Sequence, residues 1–129
     1  MFLVDTSAWI LHLSGKDPFH LQDLVKPEEI AVCPPVYQEI LQGIRAEKAY
    51  RTMKELLRAC RMIDSPLPLI RLEEAADLYR TGRKTGTTIR SGVDCLIAAS
   101  ALAHNVTVLH RDRDYTRIAL FSGLRQREI

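Results

Sequence analysis

Short apolar runs alternate with longer stretches of helical period along this chain, and the alternation sets the first expectations. Phe2-Leu3-Val4 reads as a buried strand. Asp5-Thr6-Ser7 are helix-capping residue types and lead directly into Ala8-Trp9-Ile10-Leu11, a helix that Gly15 should end. A short helix is expected from about Phe19 to Val25, with Leu21, Leu24 and Val25 packing. Ile30-Ala31-Val32 is the second expected strand. Pro34-Pro35 then opens a helix with Val36, Ile40, Leu41 and Ile44 on one stripe. Residues 47–60 form another helix, and Met62-Ile63 is a minimal third strand closed by Pro66 and Pro68. Over 69–84, Leu72, Ala75, Ala76 and Tyr79 follow the period of an amphipathic helix. Residues 85–92 are a polar, glycine-bounded loop. The stretch 93–103 is apolar almost all round, which predicts a central buried helix. Thr107-Val108-Leu109 reads as a strand, 112–121 as a terminal helix and 124–129 as an edge strand. Strands alternating with helices predict an α/β fold with a mainly parallel sheet.

Composition narrows this picture. The chain has 129 residues, 47% of them hydrophobic, which suits a single domain over 1–129 with one core and excludes a disordered chain. The net charge of +2 says little by itself, but its distribution says more. No acid lies between Asp77 and Asp94, where Arg80, Arg83, Lys84 and Arg90 fall, and Arg111, Arg113, Arg117, Arg125 and Arg127 crowd the C-terminal end. Cys33, Cys60 and Cys95 form no CxxC pair and have apolar flanks, so they read as buried small hydrophobes in a reducing cytoplasm. The histidines show no metal-binding spacing. The apolar start is too short for a signal peptide, and no run is long enough to span a membrane.

The informative chemistry is carboxylate. In open parallel sheets, ligands gather at the carboxyl ends of the strands. Asp5 directly follows the first strand, Asp112 and Asp114 follow the 107–109 strand through a short turn, and Asp94 opens the buried helix. Glu39 lies early in the Pro35 helix, at the flank of its apolar stripe. Each has an ordinary alternative: Asp5, Asp94 and Asp112 as helix caps, Glu39 as a solvated helix residue. Asp94 resists the alternative most, because an isolated ionised carboxylate at the mouth of the core is costly unless paired or bound to a metal. Oxygen ligands without a His or Cys cluster favour Mg²⁺ or Mn²⁺. Phosphodiester cleavage needs such an ion to lower the pKa of a water and to neutralise charge on the phosphate. With four of the 16 acids gathered in one pocket, 18 bases would face only twelve acids elsewhere, a basic surface around an acidic hole.

Four blocks carry a family resemblance. They are Leu3-Val4-Asp5-Thr6-Ser7-Ala8-Trp9-Ile10, then residues 35–43 around Glu39, then 92–103 around Asp94, then Leu109-His110-Arg111-Asp112-Arg113-Asp114-Tyr115. In that order, and spanning nearly the whole chain, they make it resemble PIN-domain proteins, and more closely the VapC toxins of toxin–antitoxin pairs. The resemblance implies a PIN fold and an Mg²⁺-dependent endoribonuclease, commonly acting on tRNA or rRNA and leaving a 5′-phosphate and a 3′-hydroxyl. It maps catalytic and metal-binding roles onto Asp5, Glu39 and Asp94, with Asp112 preferred as the fourth ligand and Asp114 as an alternate. Thr6 or Ser7 matches the family's supporting hydroxyl. Arg83, Lys84, Arg90, Arg111 and Arg113 are candidates for flanking phosphates. The same resemblance implies a homodimer silenced by a VapB-like antitoxin, which alone contacts operator DNA. An apolar groove between the Phe19 helix and the 47–60 helix is a candidate seat for the antitoxin's helix.

Two other classes fit less well. A phosphorylated receiver domain needs an acidic pair after the first strand and a late lysine, whereas Asp5 stands alone and Asp64 lacks that lysine. A phosphatase built on Asp-x-Asp fails at Ser7. A non-catalytic binding module of the same fold would be expected to have lost acids that this chain retains.

Overall fold

The computed structural model describes residues 1–14 and 21–129. Gly15 and Phe19, expected to end one helix and begin the next, lie outside the described residues. Five strands form one sheet: β1 (Phe2–Val4), β2 (Ile30–Val32), β3 (Arg61–Met62), β4 (Thr107–His110) and β5 (Gln126–Glu128). Their order is β3-β2-β1-β4-β5 and all four pairings are parallel. The expected parallel α/β architecture is therefore present, with the first strand at the centre. Leu3, Val4, Ala31, Val32, Val108 and Leu109 are all fully buried, as the unbroken apolar runs require of a sheet covered on both faces.

The helices are α1 (Thr6–Leu13), α2 (Leu21–Leu24), α3 (Pro34–Gln42), α4 (Glu47–Ala59), α5 (Leu69–Lys84), α6 (Gly92–His104) and α7 (Arg113–Ala119). Proline at the first position of α3 costs no hydrogen bond, because that N–H has no partner inside a helix. In α6 the apolar run buries Cys95, Ile97, Ala98, Ala99 and Ala101, and Asn105 closes the helix at φ 54°. α6 begins at Gly92, so Asp94 lies inside its first turn and not at its opening. Ser91 is the residue at the cap, and capping no longer accounts for Asp94. The third strand runs one residue earlier than expected, and α7 stops two residues short of Phe121. Of the cysteines, Cys33 and Cys95 are buried as expected, while Cys60 is only half-buried.

α5 packs along α6, and Gly82 near its end lets the 85–91 loop and Phe121 come close. A Cβ at residue 82 would lie 2.5 Å from the Thr87 carbonyl oxygen and 3.1 Å from the Phe121 ring. A buried ion network pins the other end of the pair. Asp64, at φ 54° in the β3–α5 turn, accepts from Arg71 Nε at 2.8 Å and Nη2 at 3.3 Å. Its Oδ1 also meets His104 Nε2 at the end of α6, at 2.9 Å. Arg71 donates in addition to Glu74 at 2.6 Å.

Candidate active site

β1 leaves its neighbours on either side, β2 and β4, with connections running in opposite directions, so the chain's switch point lies at the carboxyl end of β1. Asp5 stands there. Its amide donates to the Leu109 carbonyl at 2.9 Å, continuing the β1–β4 ladder by one step and fixing the backbone of the carboxylate. Asp5 does cap α1, accepting from the Ser7 amide at 3.0 Å, but that occupies only Oδ2. Oδ1 accepts from the Tyr115 hydroxyl at 2.6 Å. Cap and cluster member are thus one role, since the N-cap geometry holds the side chain where the other acids meet it.

The remaining acids come from three other segments. Asp114, 1% exposed, lies beside Asp94 in hydrogen-bond reach, and its Oδ2 accepts from the Ser91 amide at 3.2 Å. Asp112 caps α7 through the Asp114 amide at 3.0 Å. Ligand oxygens of Asp94, Asp112 and Asp114 lie within 4.8 Å of one another. Glu39, half-buried on α3, accepts from the Thr6 hydroxyl at 3.4 Å. Burial, then the Asp5 charge, push the Glu39 carboxyl above its ordinary range, against the lowering effect of the Thr6 hydrogen bond.

Asp94 feels the crowding most. Burial raises it first, then its hydrogen bond with Asp114 and the charges of Asp5, Asp112 and Asp114, to about 8. Deep in the same cluster, Asp114 Oδ1 is buried with no hydrogen-bond donor among the described residues, and its ionic neighbours there are Arg90 Nε at 3.6 Å and Arg117 Nη1 at 3.8 Å. Carboxylates that repel one another and leave a buried oxygen without a donor fit a hard divalent cation, which takes oxygen ligands and supplies the missing positive charge. Asp112 and Asp114 both belong to this set, and Asp114 is the more buried of the two.

The expected supporting hydroxyls divide their work. Thr6 faces Glu39, whereas Ser7 donates to Asp5 Oδ2 and accepts from the Arg111 amide at 2.9 Å, tying β1 to the β4–α7 turn. The expected basic residues do not all converge. Arg90 reaches the cluster, with Nη2 3.4 Å from Asp112 Oδ1. Arg83 and Lys84 are exposed at the end of α5, where the Arg83 guanidinium sits over the Tyr79 ring, and Arg113 is exposed. The Arg111 side chain donates to the Ile129 carbonyl and is directed to the chain's end. Tyr115 and His110 are site neighbours to which the sequence assigned no role. His110 is fully buried, and its Nδ1 accepts the Asp112 amide at 3.1 Å while Nε2 meets Gln126 Oε1 at 2.7 Å.

The profile of the PIN domain matches residues 2–120. Ribonuclease VapC11 of Mycobacterium tuberculosis is 33% identical over 135 aligned positions, covering 96% of each chain. This chain belongs to the VapC family of PIN-domain proteins. A second relative in that family, Ribonuclease VapC17 of the same species, is 31% identical over 121 positions, covering 92% of this chain and 87% of its own. Among solved structures, DNA-bound VapBC from Salmonella typhimurium matches with a TM-score of 0.76 at 15% identity over 98% of this chain and 96% of that one. VapBC2 from Rickettsia felis bound to a promoter DNA fragment matches at 0.74 and 15%, over 99% and 98%. At those identities the structures speak for the PIN fold alone. Among the described residues no helix is long and apolar enough to cross a membrane.

Proposed function

We propose that this VapC-family chain is an endoribonuclease that hydrolyses RNA phosphodiester bonds at the acidic cluster, with Mg²⁺ or Mn²⁺ as its cofactor. The observation that carries the reading is the convergence of Asp5, Glu39, Asp94, Asp112 and Asp114 from four separate segments at the carboxyl ends of the central strands. Asp94, Asp112 and Asp114 would hold the ion, and Asp5, joined to Asp94 through the Tyr115 hydroxyl, would add its charge beside them. A divalent ion bound there supplies charge neutralisation at the phosphate and acidifies a water. Ser7 orients Asp5, Thr6 orients Glu39, and the raised Glu39 carboxyl is suited to take a proton from the attacking water. Water is the nucleophile, so no covalent intermediate forms, and breaking of the P–O3′ bond, with the 3′ oxygen leaving and taking up a proton, gives the 5′-phosphate and 3′-hydroxyl that the family resemblance implies. Arg90, Arg83, Lys84 and Arg113 would contact flanking phosphates of a tRNA or rRNA substrate.

Partners follow from two apolar faces. A groove of about 530 Å³ between α1, α2 and α4 is lined by Trp9, Leu21, Val25, Leu56, Ala59 and Cys60. It suits the apolar face of an amphipathic segment from a VapB-like antitoxin, through which alone the complex would contact operator DNA. The α5–α6 face carrying Leu72, Tyr79, Val93 and Leu96 suits a second copy of the chain, giving a homodimer.

The test is cleavage of total RNA by purified protein with Mg²⁺ or Mn²⁺, with and without chelator, beside Asp5→Asn and Asp94→Asn. The expected result is discrete products that chelation and each substitution abolish. Cleavage surviving chelation or both substitutions overturns the reading.

A further inference from the structure

Tyr115 is fully buried in the first turn of α7, and its ring would pass for core packing. Its hydroxyl does not fit that role. It lies 2.6 Å from Asp5 Oδ1 and 3.3 Å from Asp94 Oδ1, so one phenol spans two acids that arise 89 residues apart, one at the end of β1 and one in α6. A phenol has a single hydrogen to give. The shorter contact takes it, in the range of a charge-assisted bond, and leaves Asp94 with the longer approach.

The ring is itself braced. His110 lies against it with centroids 5.0 Å apart, and His110 is fixed at both nitrogens, by Gln126 and by the Asp112 amide. One packed pair therefore touches three acids: Tyr115 reaches Asp5 and Asp94, and His110 reaches the backbone of Asp112. The donors are unevenly distributed. Asp5 receives the Ser7 amide, the Ser7 hydroxyl and Tyr115, whereas Asp114 Oδ1 has no hydrogen-bond donor among the described residues.

We propose that Tyr115 is a positioning residue of the metal site, its hydroxyl fixing the separation of Asp5 and Asp94 so that the two carboxylates face one cation. This rests on the metal-nuclease reading above. Outer partners of metal-ligating carboxylates commonly carry about a 10–100-fold effect on metal affinity, and Tyr115 stands in that position.

The test is Tyr115→Phe, which keeps the ring and removes only the hydroxyl. Mn²⁺ binding to the full chain without RNA is followed by calorimetry and by the Mn²⁺ electron paramagnetic resonance signal, with thermal melting in parallel. The expected result is Mn²⁺ affinity weaker by about tenfold or more, a melting temperature close to that of the wild type, and cleavage largely restored by excess Mn²⁺ with KM for RNA unchanged. Equal Mn²⁺ affinity in the two proteins overturns the role of Tyr115, even if melting or cleavage changes. A wild-type chain that binds no Mn²⁺ overturns the metal site itself, and the role of Tyr115 with it.

Discussion

Replacing Asp64 with asparagine removes one charge from the corner where β3 turns into α5, and little else. Asparagine tolerates the φ of 54° that this turn requires, so the backbone is preserved and the charge is isolated. The Asp64 side chain is 3% exposed and that of Arg71 is 12% exposed. Burial alone would raise the Asp64 carboxyl, but hydrogen bonds from Arg71 and His104, with the Arg71 charge, outweigh it and hold the group at about 2 against the usual 3.8. A tenfold change in acidity is worth about 1.4 kcal/mol, so ionised Asp64 contributes about 2–2.5 kcal/mol to folding at pH 7. A folded pKa below the unfolded one makes that contribution full above pH 4 and loses it as pH falls towards 2, with about half gone by pH 3. Urea unfolding of wild type and Asp64→Asn at pH 7 and pH 3 measures it. The variant should lose about 2–4 kcal/mol at pH 7, the upper part coming from Arg71 left in a buried site with only Glu74. The gap should narrow clearly at pH 3. A gap under about 0.5 kcal/mol at pH 7, the scale of a surface substitution, or one unchanged between the two pH values, would refute the reasoning.

Arg90→Gln should separate two properties that usually move together. Its guanidinium neutralises Asp112 and Asp114 from a half-exposed position, so its loss should tighten Mn²⁺ binding by about two- to fivefold while raising KM for RNA; weaker binding of both, by calorimetry and cleavage kinetics, would contradict this. Gly82→Ala should destabilise by about 1–3 kcal/mol in urea unfolding, although alanine is the better helix former, because its Cβ would meet the Thr87 carbonyl at 2.5 Å. A variant as stable as the wild type would show that the loop at Thr87 relaxes freely.

The strands β1, β2 and β4 are legible in the sequence because each is an apolar run bounded by capping or turn residues, and burial on both faces leaves no alternation to confuse them. The two-residue β3 is displaced by one from its apolar pair, since its limits are set by pairing with Ala31 and Val32 and not by its own residues. Among the acids, Asp5 and Asp112 stand out from their place after strands. The depth of Asp114 does not, because Asp112 caps α7 while Asp114 lies in its first turn, and which of the two is buried is decided by packing that no local pattern records. Tyr115 falls within a motif yet suggests no task, as an aromatic on an inward helix face looks like any core residue. The inward order His110, Asp112, Asp114, Tyr115 along one turn is the available signal. The Asp64 network is illegible for another reason: its partners lie 7 and 40 residues away, and no local pattern joins them.

The central position of β1 has a consequence in time. Asp5 is made well before Leu109 and Tyr115, which hold it, and before Arg111, whose amide holds Ser7. Contacts of such long sequence separation form slowly, since the intervening chain must be ordered or closed first. A nascent chain that has not yet reached β4 carries Asp5, Glu39 and Asp94 without the turn that gathers them. The cleft is thus gathered only after β4 and the turn that leads to Tyr115 have been made, and the site cannot act on RNA before then.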